Sequence, residues 1–194
     1  MNSNKGNRGT TAVTLRVIGG KYRSRLLRVP ERPGLRPTPN RVRETLFNWL
    51  GQDLNGLACL DLFAGSGALG FEAASRGATR VVLVEKDRAA VVELERNRAA
   101  LDATQVSIVS GDAAAYLARE RGRFDVVFLD PPFRQNAVPE ILGVLPPRLE
   151  PDARVYVESD VPVEVVAPWT ELKRARAGQV SYQLLQWNAN EEQP

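Results

Sequence analysis

One stretch, Cys59 to Gly77 (CLDLFAGSGALGFEAASRG), constrains the chain more than any other: an apolar run ends in an acid, turns over closely spaced glycines and enters a helix-like segment. Leu57 to Phe63 is apolar except for Asp61, which reads as a buried strand with its polar residue at the carboxyl end. Gly65, Ser66 and Gly67 let the backbone turn tightly and approach a ligand closely. Leu69, Phe71, Ala73 and Ala74 then resume as the buried side of a helix. Such a strand, turn and helix form half of a βαβ ligand site.

Gly65, Gly67 and Gly70 spell G-x-G-x-x-G, and Glu85 ends the next apolar run, so the dinucleotide fingerprint is nominally met. Asp61 discriminates. A carboxylate at the strand end repels the pyrophosphate of a nicotinamide cofactor, which needs only backbone N–H donors there. S-adenosylmethionine has the opposite needs: it has no phosphate, its ammonium and sulfonium favour a nearby carboxylate, and its ribose hydroxyls can donate to Glu85. A glycine-capped turn that binds nothing is the alternative for this stretch alone.

Downstream the pattern alternates: Arg80–Glu85 as strand, Asp87–Leu101 as helix, Gln105–Val109 as strand, Ala113–Arg119 as helix, Phe124–Leu129 as strand. A helix around Val138–Leu145 and a strand over Arg154–Glu158 continue it. This predicts an α/β fold with a mostly parallel sheet covered on both faces. Leu172–Arg176 and Val180–Trp187 flank the turn signal AGQ and predict an antiparallel hairpin that closes the sheet. Upstream, Leu15–Ile18 and Leu26–Val29 flank GGKYRSR and predict a small hairpin, and Pro30–Pro39 should run extended. Thr38 is the expected cap of a helix bearing Val42, Leu46, Trp49 and Leu50 on one face. The expected organisation is a disordered tail over 1–13, a basic hairpin and helix over 14–50, and the main α/β domain over 51–194.

The net charge of +3 conceals an asymmetry: residues 1–43 hold 11 of 26 Lys and Arg but one of 23 acids, giving +10 there and −7 in the remainder. Nine cations and one acid between Arg16 and Arg43 exceed what solubility requires and predict an anion-binding surface, with Arg16, Lys21, Arg23, Arg25, Arg41 and Arg43 as candidate nucleic-acid contacts. A solvated charged face is the alternative. The absence of histidine removes the commonest general base and metal ligand, and the single Cys59 excludes an internal disulfide or multi-cysteine cluster, so no metal is expected. No apolar run is long enough to span a membrane and no secretory signal opens the chain, which predicts a cytoplasmic protein.

Asp61, Glu85 and Asp130 are predicted at the carboxyl ends of successive strands, with Asp112 just past a fourth, along the edge where open α/β sheets bind ligands. Asp112 and the N–H of Ala113 suit an adenine edge, and an ordinary helix cap is the competing reading of Asp112. Asp130-Pro131-Pro132-Phe133 follows the apolar strand FDVVFL. The two prolines present carbonyl oxygens from a rigid backbone. An exocyclic amine of a base is a poor nucleophile unless its hydrogens are held so that its lone pair faces the methyl group. Asp130 and the Pro131 carbonyl can hold them, and Phe133 can stack on the base. A strand-terminating turn is the alternative for the tetrapeptide taken alone.

DLFAGSGALG, the strand end at Glu85, GDA and DPPF together resemble the class I S-adenosylmethionine-dependent methyltransferases that act on exocyclic amines. RVIGGKYR and RPTPNRVRETLFNWL narrow the resemblance to the RsmD-type methyltransferases of 16S ribosomal RNA guanine N2. The resemblance implies a Rossmann-like seven-stranded sheet, a hairpin that contacts ribosomal RNA, and a guanine in the small subunit as substrate; the expected partner is 16S ribosomal RNA in an assembled or assembling small subunit, bound by a monomer. By motif, Asp61, Phe63, Ala64, Gly65, Ser66, Gly67, Glu85, Asp112 and Ala113 would bind the cofactor, Arg36 and Thr38 would lie near it, and Asp130, Pro131, Pro132 and Phe133 would form the catalytic segment. A methyltransferase of adenine N6 or cytosine N4, in DNA or another RNA, is the nearest alternative, since this chemistry is indifferent to which exocyclic amine is presented. More distant are a nicotinamide oxidoreductase, which Asp61 opposes, and a non-catalytic RNA-binding module, which DPPF opposes.

Overall fold

Strand β3 (Ala58–Asp61) leads through the glycine turn into α2 (Ala68–Ser75), where the sequence places the strand, turn and helix. A computed structural model describes residues 14–29, 38–132 and 137–188. Before β3 come β1 (Thr14–Arg16), β2 (Leu26–Arg28) and α1 (Asn40–Leu50). After α2 come β4 (Arg80–Glu85), α3 (Arg88–Leu101), β5 (Val106–Ser110), α4 (Ala113–Arg119) and β6 (Phe124–Leu129). The chain then forms α5 (Ala137–Val144), β7 (Leu149–Ser159), β8 (Trp169–Ala177) and β9 (Val180–Trp187). The expectations for residues 1–13 and for the extended run over 30–37 lie outside the described residues.

The seven strands β3 to β9 form one sheet in the order β5-β4-β3-β6-β7-β9-β8. β3 pairs in parallel with both β4 and β6, β6 in parallel with β7, and β9 antiparallel with β7 and β8. The sheet is thus a mostly parallel, Rossmann-like one closed by an antiparallel hairpin. Side chains alternate across it as the strand period requires. Cys59, Val81, Leu83, Val126 and Phe128 face a layer built by the hairpin, α1, α2 and α3. Leu60, Val82, Val84, Val127 and Leu129 face the layer containing Leu117, Ile141 and Leu142. Burial on both faces explains why these strands read as continuous apolar runs. Cys59 is enclosed, and burial together with Asp125 pushes its thiol up to about 12, so it stays inert.

The amino-terminal hairpin is bonded to the core through buried polar groups. Glu72, wholly buried on α2, accepts the backbone N–H groups of Ile18 and Gly19, each at 2.8 Å. It also pairs with Arg43 at 3.4 Å and Arg76 at 2.8 Å. Gly20 adopts φ +71 where an added Cβ would sit 1.8 Å from the Ser75 carbonyl, so glycine alone lets the hairpin turn meet the end of α2. Farther along, Asn97 of α3 grips Arg28 through both its N–H and its carbonyl, each at 2.9 Å.

Two expectations change here. Arg43 is fully buried against Glu72, with a second bond to the Arg16 carbonyl at 2.8 Å, so it has no surface to present to RNA. Thr38 does not cap α1: Pro39 holds the cap position with no side-chain bond, and the Thr38 hydroxyl is turned toward Asp130 instead.

Candidate active site

The sheet order reverses around β3, whose neighbours β4 and β6 lead in opposite directions, and such a switch point leaves a crevice outside the carboxyl ends of the strands. Asp61, Glu85 and Asp130 stand on this crevice. Asp61, only 2% exposed, accepts the backbone N–H groups of Phe63 and Gly70. Burial pushes its carboxyl up to about 7, the charge of Glu85 adds to the rise, and the two N–H bonds oppose it. The residue therefore braces the turn from within, and a cationic ligand over the crevice favours its ionised form.

The turn has two tethers. Glu85 accepts Gly65 N–H through one carboxyl oxygen and Asp87 N–H through the other, both at 2.8 Å. Ala64 N–H donates to the Val84 carbonyl at 3.0 Å. Gly65 and Gly67 lie in the left-handed region, at φ 51 and φ 76. A Cβ at Gly67 would come within 2.6 Å of the Phe71 ring and 2.7 Å of Leu94, so this backbone must pack closely as well as turn. Ala64 and Ser66 are buried, and Phe63 is half-buried.

Along the same edge Asp112 caps α4, its Oδ1 accepting Ala114 N–H at 3.0 Å and Ala115 N–H at 3.1 Å. It is an ordinary cap in form, yet exposed, and its Oδ2 makes no bond among the described residues. Beside it lies a recess of about 390 Å³ lined by Val109, Gly111, Asp112, Ala115 and Tyr116. A Cβ at Gly111 would meet only open space, and the neighbouring Ala113 is buried.

These residues fit S-adenosylmethionine. A carboxylate offers about four acceptor directions, so Glu85 retains two for ribose hydroxyls after accepting its two N–H groups. Asp112 Oδ2 is open to an exocyclic amine. The carboxyls along the edge oppose a phosphate and favour a sulfonium.

Asp130 immediately follows β6, with Pro131 buried and Pro132 exposed. Burial holds its carboxyl well above the ordinary carboxylate range, the charges of Glu158 and Asp61 add to this, and the Thr38 hydroxyl opposes it from 3.4 Å. Arg36 and Phe133 lie outside the described residues. Glu158, at the end of β7, escaped the sequence reading although it repeats the pattern of Asp61, Glu85 and Asp130, an acid closing an apolar strand. What was missing was the adjacency of β7 and β6.

Arg16, Lys21, Arg23, Arg25 and Arg41 are exposed. Lys21 N–H bonds the Ser75 carbonyl at the far end of α2, so the cationic turn sits toward the sheet edge opposite Asp130. Arg25 also donates to the Ala100 carbonyl at 2.7 Å.

The family model described as Conserved hypothetical protein 95 matches residues 15–186. Ribosomal RNA small subunit methyltransferase D of Escherichia coli is 45% identical over 183 residues, covering 92% of each chain. A solved structure from Escherichia coli, described as the putative methyltransferase yhhF, superimposes with a TM-score of 0.83 at 45% identity over 91% of this chain and 99% of that one. The fold alone is shared with an RNA methyltransferase of Salinibacter ruber solved with S-adenosyl-L-homocysteine, at a TM-score of 0.64 and 21% identity over 82% of this chain and 97% of that one. Since the matched span takes in the hairpin, the glycine turn and the Asp-Pro-Pro segment alike, the chain belongs to the Conserved hypothetical protein 95 family, that of ribosomal RNA small subunit methyltransferase D, and is a methyltransferase.

Proposed function

We propose that this methyltransferase uses S-adenosylmethionine to methylate the exocyclic N2 amine of a guanine in 16S ribosomal RNA, acting as a cytoplasmic monomer on an assembled or assembling small subunit. The observation that carries the reading is the position of Asp130-Pro131 beside the glycine turn, across the switch point between β3 and β6. The names of the relatives supply the RNA and the subunit. The choice of guanine N2 rests on the resemblance of the upstream hairpin and helix.

Bound S-adenosylmethionine supplies an electrophilic methyl group. Glu85 and Asp112 would hold its ribose and adenine, with Asp61 and the turn residues Phe63 to Gly67 beneath it and Ala113 beside the adenine. The Asp130 carboxylate and the Pro131 carbonyl accept the two N–H groups of the target amine. This aims the amine lone pair at the methyl group, a positioning effect that lowers the entropic part of the barrier. Methylation makes the amine acidic, and its proton leaves to Asp130 or water.

Residues 14–50 form the RNA-facing part, and residues 51–194 the catalytic domain. The exposed cations of the hairpin turn lie a full helix, α2, away from the catalytic edge, on the order of 12 Å for its eight residues. An RNA touching both spans an extended surface, as folded ribosomal RNA does.

The test is methyl transfer to small-subunit particles from cells lacking this protein, with the product mapped by nucleoside analysis. N2-methylguanine at one position, lost in Asp130→Ala by at least about a hundredfold in rate while donor binding persists, is the expected result. Methyl on adenine or cytosine, or an Asp130→Ala variant with near-normal turnover, would overturn the reading.

A further inference from the structure

Four polar groups converge behind the catalytic edge. β6 and β7 pair in parallel with Leu129 opposite Val157, which puts Asp130 and Glu158 at the same level of neighbouring strands and on the same face of the sheet. Glu158 is 6% exposed, and Tyr156, two residues earlier on that face, donates its phenol hydrogen to Glu158 Oε1 at 2.7 Å. The Thr38 hydroxyl reaches Asp130 Oδ2 at 3.4 Å and lies near enough to Glu158 to oppose the rise that burial gives its carboxyl. Other titratable groups facing the pair are Asp61 on β3 and Tyr182, directly opposite Glu158 on β9.

A hydroxyl has one hydrogen to give and two lone pairs with which to accept. Between two ionised carboxylates, Thr38 can satisfy only one and leaves the other facing a like charge. Between one neutral carboxyl and one carboxylate the chain closes, because the neutral group donates to Thr38 and Thr38 donates to the carboxylate. We propose that Glu158 is a positioning residue for methyl transfer: it shares one proton with Asp130 through the Thr38 hydroxyl and holds that proton once the substrate amine docks, leaving Asp130 as the carboxylate that grips the amine.

The step balances without any other reactant. The hydrogen on Asp130 Oδ2 passes to Thr38 Oγ1 as the Thr38 hydrogen passes to Glu158, so one proton moves from one carboxyl to the other. Docking drives it, because two N–H donors arriving at Asp130 stabilise its ionised form. In the free protein burial raises both carboxyls, and the charges of Glu158 and Asp61 add to the rise at Asp130, so the pair keeps a proton to share.

The inference rests on the role of Asp130 proposed above, and one set of variants separates the two. Turnover of the full chain on small-subunit particles is measured from pH 5 to 9 for wild type, Glu158→Gln, Glu158→Ala and Asp130→Asn, with folding checked by circular dichroism. Glutamine mimics neutral Glu158: it donates to Thr38 and accepts from Tyr156. Glu158→Gln is therefore expected to stay within about threefold of the wild-type kcat with its acid limb in place, while the basic limb moves to higher pH or disappears, because the wild-type pair sheds its shared proton there and glutamine has none to shed. Glu158→Ala is expected to lose at least tenfold in kcat with little change in KM. A basic limb in Glu158→Gln that coincides with wild type overturns the proposal, as does a kcat equal to that of a folded Glu158→Ala. Should Glu158→Ala not fold, the position of the Glu158→Gln basic limb decides alone. Near-normal turnover in Asp130→Asn would instead overturn the role of Asp130.

Discussion

The hydroxyl of Thr38 lies 3.4 Å from Asp130 Oδ2, joining positions 92 residues apart, so the segment entering α1 reaches directly into the candidate catalytic site. That hydrogen bond favours the ionised form of Asp130 against burial and the charges of Glu158 and Asp61. Thr38→Val keeps the shape and removes the hydroxyl. The carboxyl of Asp130 then rises further, and the acid limb of the pH–rate profile is expected to move to higher pH with a lower plateau. A profile superimposable on wild type would show that the contact has no part in the reaction.

Asp61 gives stability a pH dependence of unusual sign. Its carboxyl is raised to about 7 in the folded protein, from the ordinary value near 4 that it regains on unfolding. Between those two values the folded state binds more protons, so the contribution of Asp61 is fully present below about pH 4 and is lost as pH rises toward 7. Urea unfolding of the ligand-free protein at pH 5 and pH 7 is expected to differ less in Asp61→Asn than in wild type. An unchanged difference would mean that Asp61 stays ionised throughout.

Glu72 is the hub on which the hairpin depends. Glu72→Ala strands the buried guanidinium of Arg43 and leaves the N–H groups of Ile18 and Gly19 without acceptors. Breaking one side of a buried ion pair costs about 3–5 kcal/mol, so the urea midpoint should fall by that equivalent. A loss below about 1 kcal/mol would show that water replaces the carboxylate.

Substitution of Lys21, Arg23 and Arg25 by alanine tests the exposed cations as a group. If they bind phosphates, affinity for small-subunit particles falls and the slope of log affinity against log salt flattens by roughly 0.7–0.9 for each phosphate no longer neutralised. Donor binding should be unaffected, because these side chains lie outside the carboxyl-edge crevice. Arg43→Ala is the contrasting variant: it should lower stability while leaving the salt slope of the folded fraction unchanged. Equal slopes for the triple variant and wild type would leave the hairpin cations as a solvated face.

Local chemistry alone determined much of this protein. The apolar run ending in Asp61, the glycines after it and the helical spacing beyond depend on backbone conformations available within a few residues, and they appear in the structure where the sequence places them. α4 (Ala113–Arg119) and β6 (Phe124–Leu129) match the expected bounds for the same reason, since period and punctuation are read over short windows. Tertiary structure decided what depends on distant partners. Arg43 reads as one more surface cation until Glu72, 29 residues onward, encloses it. Thr38 has the composition of a helix cap, and its hydroxyl was claimed by Asp130. Glu158 carried the same strand-end signature as the other acids, but only the parallel pairing of β6 with β7 sets it beside Asp130. Strand order is fixed by packing across the whole sheet, and no window of sequence contains it.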